Sequence, residues 1–207
     1  MKKLFGKLLG ETKPTLPRSE PIVIVSGLPR SGTSMMMKML EAGGIPPLTD
    51  KLRTADNDNP KGYYEFERVK QMDKGDTGWV PQAQGKVVKV ISALLKYLPS
   101  SYNYQVIFLR RHMSEILASQ RKMLIHRGED PDKQDDAQMK LLFEKHVRSV
   151  EEWLASRPNV RTLYVHYSDM LGNPQPQIER VNTFLGGKLD TARMAEVVDP
   201  ALYRNRS

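Results

Sequence analysis

The chain has 207 residues, 39% of them hydrophobic and 27% charged, a balance that fits one soluble globular domain with a sizeable core. It contains no cysteine, which excludes disulfides, thiolate metal sites and a cysteine nucleophile and fits a reducing, cytoplasmic setting. No apolar run approaches the ~20 residues that span a bilayer. The net charge of +8 comes without a zinc-finger spacing, an aromatic RNA-binding motif or a long basic tract, so it argues for a small anionic ligand or a solvated basic surface rather than nucleic acid.

Met1 to Gly10 interleaves lysines with apolar residues and lacks the roughly 7–15-residue apolar core of a secretory signal. Residues 1–20 read as a flexible basic tail passing through Pro14 and Pro17, ahead of a domain over 21–207. An amphipathic helix resting on a membrane surface is the less favoured alternative.

Pro21–Ser26 is a short, β-branched apolar run of the kind buried in parallel sheets. Ser34–Ala42 reads as a helix stopped by Gly43-Gly44 and Pro46-Pro47, with Met35, Met36, Met37 and Met39 as its packing face. Residues 49–62 are polar and turn-rich, a long loop of the sort that often carries function. Further strands are expected at Lys86–Ile91, Gln105–Leu109 and Arg161–Tyr167. Helices are expected at Met113–Ile125, at Ala137–Ser156 (apolar stripe Leu141, Leu142, Val147, Val150, Leu154) and at Pro176–Leu185. The alternation predicts a single-domain α/β fold: a P-loop-like parallel sheet flanked by helices, with ligands at the carboxyl ends of its strands.

Between the first strand and first helix lies Gly27-Leu28-Pro29-Arg30-Ser31-Gly32-Thr33-Ser34. A glycine turn at this junction aims backbone N–H groups and the positive helix end at an anion. Gly27 and Gly32 have the spacing of a Walker A loop, yet Thr33 and Ser34 stand where that loop has its lysine and hydroxyl. A kinase or ATPase needs the lysine against charge on a transferred γ-phosphoryl group. Hydroxyls there, with Arg30 inside the turn, suit a ligand with a single 5′-phosphate attached to another group. A purely geometric strand-to-helix turn is the competing reading.

Leu28-Pro29-Arg30-Ser31-Gly32-Thr33 resembles the 5′-phosphosulfate loop of the sulfotransferase superfamily, in its arginine-bearing form. Val106-Ile107-Phe108-Leu109-Arg110-Arg111-His112 and on to Ser119 is similar to that family's strand-end arginine and the serine eight residues later, which bind a 3′-phosphate. Arg110 could exchange roles with Arg111. Leu163–Leu171, Asn173-Pro174 and Phe184-Leu185-Gly186 resemble a further family stretch, so the likeness runs over about residues 21–187.

The resemblance implies 3′-phosphoadenosine 5′-phosphosulfate (PAPS) as co-substrate, no metal, and transfer of a sulfuryl group to a hydroxyl or amine. It implies that Pro29, Arg30, Ser31, Gly32, Thr33, Ser34, Arg111 and Ser119 bind the nucleotide, with Arg30 also stabilising the leaving group. Lys89 matches a family lysine that touches the sulfuryl group, or else marks a solvated strand end. The histidine base of the family's cytosolic members is replaced by Ile91; several other members use a glutamate from the region after the loop-helix unit, and the resemblance therefore implies Glu65 as first choice for the base, with Asp50 second. The acceptor class stays open among carbohydrate, peptide, lipid and small alcohol. The rival readings are a P-loop small-molecule or nucleotide kinase and a non-catalytic nucleotide-binding module.

Overall fold

The computed structural model describes residues 20–50, 64–131 and 135–199. The expected basic tail, most of the loop after Asp50 and the last eight residues lie outside them.

Strands β1 (Ile22–Gly27), β2 (Val87–Lys89), β3 (Tyr104–Arg110) and β4 (Val160–His166) form one sheet in the order β2-β1-β3-β4, with every pairing parallel. The chain leaves β1 for β2 on one side and for β3 on the other. The carboxyl end of β1 is therefore a topological switch point, where open α/β sheets hold their ligands. Helices α1 (Thr33–Ala42), α2 (Met113–His126), α3 (Asp136–Ala155), α4 (Tyr167–Gly172), α5 (Pro174–Phe184) and α6 (Thr191–Val197) make up the rest, with 3₁₀ turns at Glu67–Lys74, Val80–Ala83 and Ser92–Tyr97.

Strand alternation divides the core in two. Val23, Val25, Val87, Ile107, Leu109 and Val165 meet the methionines of α1 and the apolar faces of α4, α5 and α6. Ile22, Ile24, Val88, Val106 and Phe108 point the other way, onto Trp79, Leu95 and the α3 residues Val150 and Leu154. Both faces of the central strand β1 are covered, which explains why it reads as a continuous apolar run, whereas the edge strand β4 is only partly buried.

Two expectations need correction. Leu141 and Leu142 do not belong to the buried stripe of α3: they are 67% and 62% exposed, while Val150 and Leu154 are buried. At about 100° per residue, Leu141 stands roughly opposite Val150 and Leu142 some 80° away from it. Tyr167 does not end the fourth strand but opens α4, because its ring turns into the core on the α1 face.

The edge beyond β2 also has a use. Pro47 pairs in parallel with Val87, so the chain toward Asp50 runs beside β2 to its carboxyl end. Asp50 Oδ2 accepts from the Glu67 amide at 2.6 Å and starts the 3₁₀ turn there. Thr49 Oγ1 donates to the Glu65 carbonyl at 2.7 Å, fastening the two segments together.

Candidate active site

The loop between β1 and α1 is shaped by three backbone positions. Gly27 has φ +150°, and a Cβ there would come within 2.6 Å of Ser31 Oγ and 2.7 Å of the Leu109 carbonyl. Gly32 has φ +97°, and a Cβ there would stand 2.4 Å from the Tyr167 ring. Arg30 is left-handed at φ +68°, a conformation that costs an L-residue roughly 1–2 kcal/mol. Only contacts that hold the loop from outside can sustain it.

Those contacts come from Arg111, just past the end of β3, and from α2. Arg111 Nη1 donates to the Arg30 carbonyl at 2.9 Å. Arg30 Nε donates to Ser119 Oγ, also at 2.9 Å. The loop residue with strained backbone is thus gripped by both residues expected at a 3′-phosphate. Arg111 is further fixed by Glu115, whose Oε2 accepts from its Nε at 2.7 Å, and its guanidinium lies over the Tyr167 ring at 4.5 Å. The Arg111 and Glu115 side chains are 8% and 1% exposed.

The choice between the two arginines follows from strand geometry. Successive residues at the end of β3 point to opposite faces. Arg110 turns toward α3, where it forks onto Glu151 Oε1 at 3.0 and 2.6 Å and stacks on Tyr164 at 4.1 Å. Arg111 turns to the α1 face, where the loop is. Of the two, Arg111 is the one on the face of the loop.

Ser31 N donates to the Leu28 carbonyl at 3.2 Å and closes the turn, so the amides aimed outward are those from Gly32 onward, in the first turn of α1. The Ser31 hydroxyl is buried and has no hydrogen-bond partner among the described residues, and so is that of Ser26. An orphaned buried hydroxyl in a glycine cradle is the kind of donor an anion would satisfy. Pro29 is exposed on the rim; Thr33 and Ser34 are half-buried on the first turn of the helix.

Lys89 is half-buried at the carboxyl end of β2, in register with Val25. Val87 belongs to the α1-side core and Val88 to the other, so alternation places Lys89 on the same face as Arg111. Ile91, just beyond the strand, is 42% exposed. The segments of Glu65 and Asp50 are fastened to each other, the Asp50 amide donating to the Glu65 carbonyl at 3.4 Å. The chain reaches Asp50 along the edge of β2, through Pro47 and Leu48 beside Val87. Glu65 pairs with Lys70 at 2.9 Å. Its neighbour Tyr64 donates to the Glu41 carboxylate, and burial pushes the Tyr64 hydroxyl up well above the usual phenol range. His112 is exposed at the start of α2 and His166 exposed at the end of β4.

Glu115 and Tyr167 were not singled out in the sequence. Glu115 carries a weak signal, four residues from Arg111 and four from Ser119 on one helix face; Tyr167 carries none until β4 is known to end before it. Among the described residues there is no group of three or more histidine, aspartate or glutamate side chains able to hold a metal, and no helix long and apolar enough to cross a membrane.

No curated protein sequence matches the chain. Among solved structures, the chain is similar to mouse sulfotransferase SULT7A1 complexed with PAP (TM-score 0.54, 18% identity, covering 88% of this chain and 64% of that one). It is also similar to the sulfotransferase domain from the curacin biosynthetic pathway (0.51, 15%, 88% and 79%). A third is the sulfotransferase from Alicyclobacillus acidocaldarius (0.51, 13%, 84% and 85%). At these identities the likeness establishes the fold. The sequence profile of the sulfotransferase domain family matches residues 20–206, nearly the whole chain, and the chain belongs to that family.

Proposed function

We propose that this chain transfers the sulfuryl group of PAPS to a hydroxyl or amine acceptor. The observation that carries the reading is the convergence of Arg111 and Ser119 on Arg30, at the carboxyl edge of a parallel sheet. It joins a strand-end fork and a helix hydroxyl, suited to one phosphate, to the glycine loop suited to another.

In this reading the amides of Gly32, Thr33 and Ser34 and the hydroxyls of Ser31, Thr33 and Ser34 hold the 5′-phosphate, with Pro29 shaping the rim. Arg111 and Ser119 hold the 3′-phosphate. The acceptor oxygen or nitrogen attacks sulfur in line as the bond from sulfur to the bridging phosphate oxygen breaks. Adenosine 3′,5′-bisphosphate (PAP) leaves, and the acceptor proton passes to a base. Arg30 offsets the charge developing on the bridging oxygen, and Lys89 lies on the face from which it can reach the sulfuryl oxygens. Of the two candidate bases we favour Glu65, on the family resemblance, with Asp50 second. The lack of cysteine supports a cytoplasmic setting.

The test is turnover. With PAPS and a panel of sugar, peptide, phenol, alkanol and amine acceptors, PAP should be released in step with a sulfated product, with EDTA present as well as without it. Binding of PAP with no release on any acceptor would instead favour the non-catalytic module. Release of ADP from ATP with a phosphorylated acceptor would favour the kinase.

A further inference from the structure

We propose that Glu115 is the positioning residue that makes this site selective for a 3′-phosphorylated nucleotide, by orienting the guanidinium of Arg111. The inference rests on the functional reading above and adds a residue to it.

An arginine at a strand end has a long side chain and many rotamers, and a phosphate gains from it only if the fork is already aimed. Here the aim is imposed from three sides. Glu115 takes Nε, the Arg30 carbonyl takes one Nη1 hydrogen, and the Tyr167 ring supports the plane of the group. Of the five N–H donors, these contacts engage two. Nη2 has no protein acceptor among the described residues, so the end of the fork is what remains to be offered to an anion.

Stability alone gives no reason for this pair. A buried ion pair contributes little over a well-packed apolar pair, because desolvation offsets its Coulomb attraction. Glu115 offsets part of the charge of Arg111 and leaves its outer donors aimed into the subsite, beside the Arg30 guanidinium on Ser119. Such a site distinguishes a nucleotide that has a 3′-phosphate from one that lacks it. A diffuse basic patch would favour any phosphate.

Glu115 stands in the first turn of α2, where any acidic side chain also favours the helix dipole. That structural contribution is separable. Glu115→Asp keeps the charge in the first turn but withdraws the carboxylate by one methylene from Arg111 Nε. Glu115→Gln removes the charge but keeps an acceptor at the right reach.

The experiment is calorimetric titration of the full chain with PAP and with AMP, which differ only in the 3′-phosphate, alongside melting temperatures. In the wild type PAP should bind at least about tenfold more tightly than AMP. In Glu115→Ala and Glu115→Asp that ratio should fall about tenfold, through weaker PAP binding, with AMP affinity within about threefold of wild type. Glu115→Gln should restore the ratio to within about threefold. If Glu115→Ala does not fold, Glu115→Asp decides. A folded Glu115→Asp that keeps the wild-type ratio overturns the inference and leaves the proposed function intact. A wild type that binds PAP and AMP alike overturns both.

Discussion

Gly32 gives the sharpest residue-level prediction, because two independent constraints fall on one atom. Its φ of +97° disfavours any side chain, and its Cβ would overlap the Tyr167 ring at 2.4 Å, a ring held by the buried core on one side and Arg111 on the other. Gly32→Ala should therefore lower the unfolding free energy by at least about 2 kcal/mol in urea titrations and abolish PAP binding. Arg30 predicts a different pattern. Arg30→Ala should leave PAP affinity within about tenfold while lowering the rate of PAP release from PAPS by about a hundredfold or more, since its proposed contribution belongs to the transition state. Equal losses in binding and rate would place Arg30 in ground-state binding instead. His146 supplies a pH prediction. Its Nε2 lies 2.9 Å from the buried Ser92 hydroxyl, and burial, then the nearby Lys96 charge, hold its pKa below the usual histidine value. The neutral ring is the folded form, so its stabilisation is present above the unfolded pKa of about 6.5 and is lost as pH falls through the lower folded value. Stability should decline on acidification below pH 6.5, and the part of that slope due to His146 should vanish in His146→Gln.

Among elements, α3 separates what patterning can and cannot show. Leu154 is 2% exposed and packs on the sheet, so Leu154→Ala should cost about 2–5 kcal/mol. Leu141→Lys and Leu142→Lys should each stay within about 0.5 kcal/mol of wild type, which chemical denaturation of the three variants would check. The sequence suggested one stripe containing all three leucines, because five apolar residues within 14 positions fit a helical face loosely. Only the angle to the sheet-facing Val150 tells which of them are covered. The strand–loop–helix at 22–42 was legible because glycine, proline and β-branched residues act locally. Arg111 and Ser119 were legible as a spacing, whereas the choice of Arg111 over Arg110 needed the sheet, since strand alternation fixes relative faces but not which face carries the loop. Glu115 carried only its four-residue spacing from Arg111, and Tyr167 was illegible because its partners Gly32 and Arg111 lie outside its own element. Asp50 and Glu65 were found as acidic residues beside a long loop, and the structure gives each a local partner that no sequence pattern announced.

For the whole molecule, the order β2-β1-β3-β4 brings the glycine loop, the strand-end arginine and Lys89 to one edge, while the net charge of +8 favours the approach of an anion there. A kinase on such a sheet would need magnesium and a γ-phosphate contact. The loop here has neither the Walker lysine nor a need for it if the ligand carries separate 5′- and 3′-phosphates. The most direct measurement is thermal unfolding of the full chain in EDTA with PAP or with ATP, each at about one hundred times the dissociation constant measured for PAP. PAP should raise the melting temperature by roughly 5–10 °C and ATP by no more than a degree or two. A shift with ATP equal to that with PAP, or one that appears only when magnesium is restored, would contradict the account.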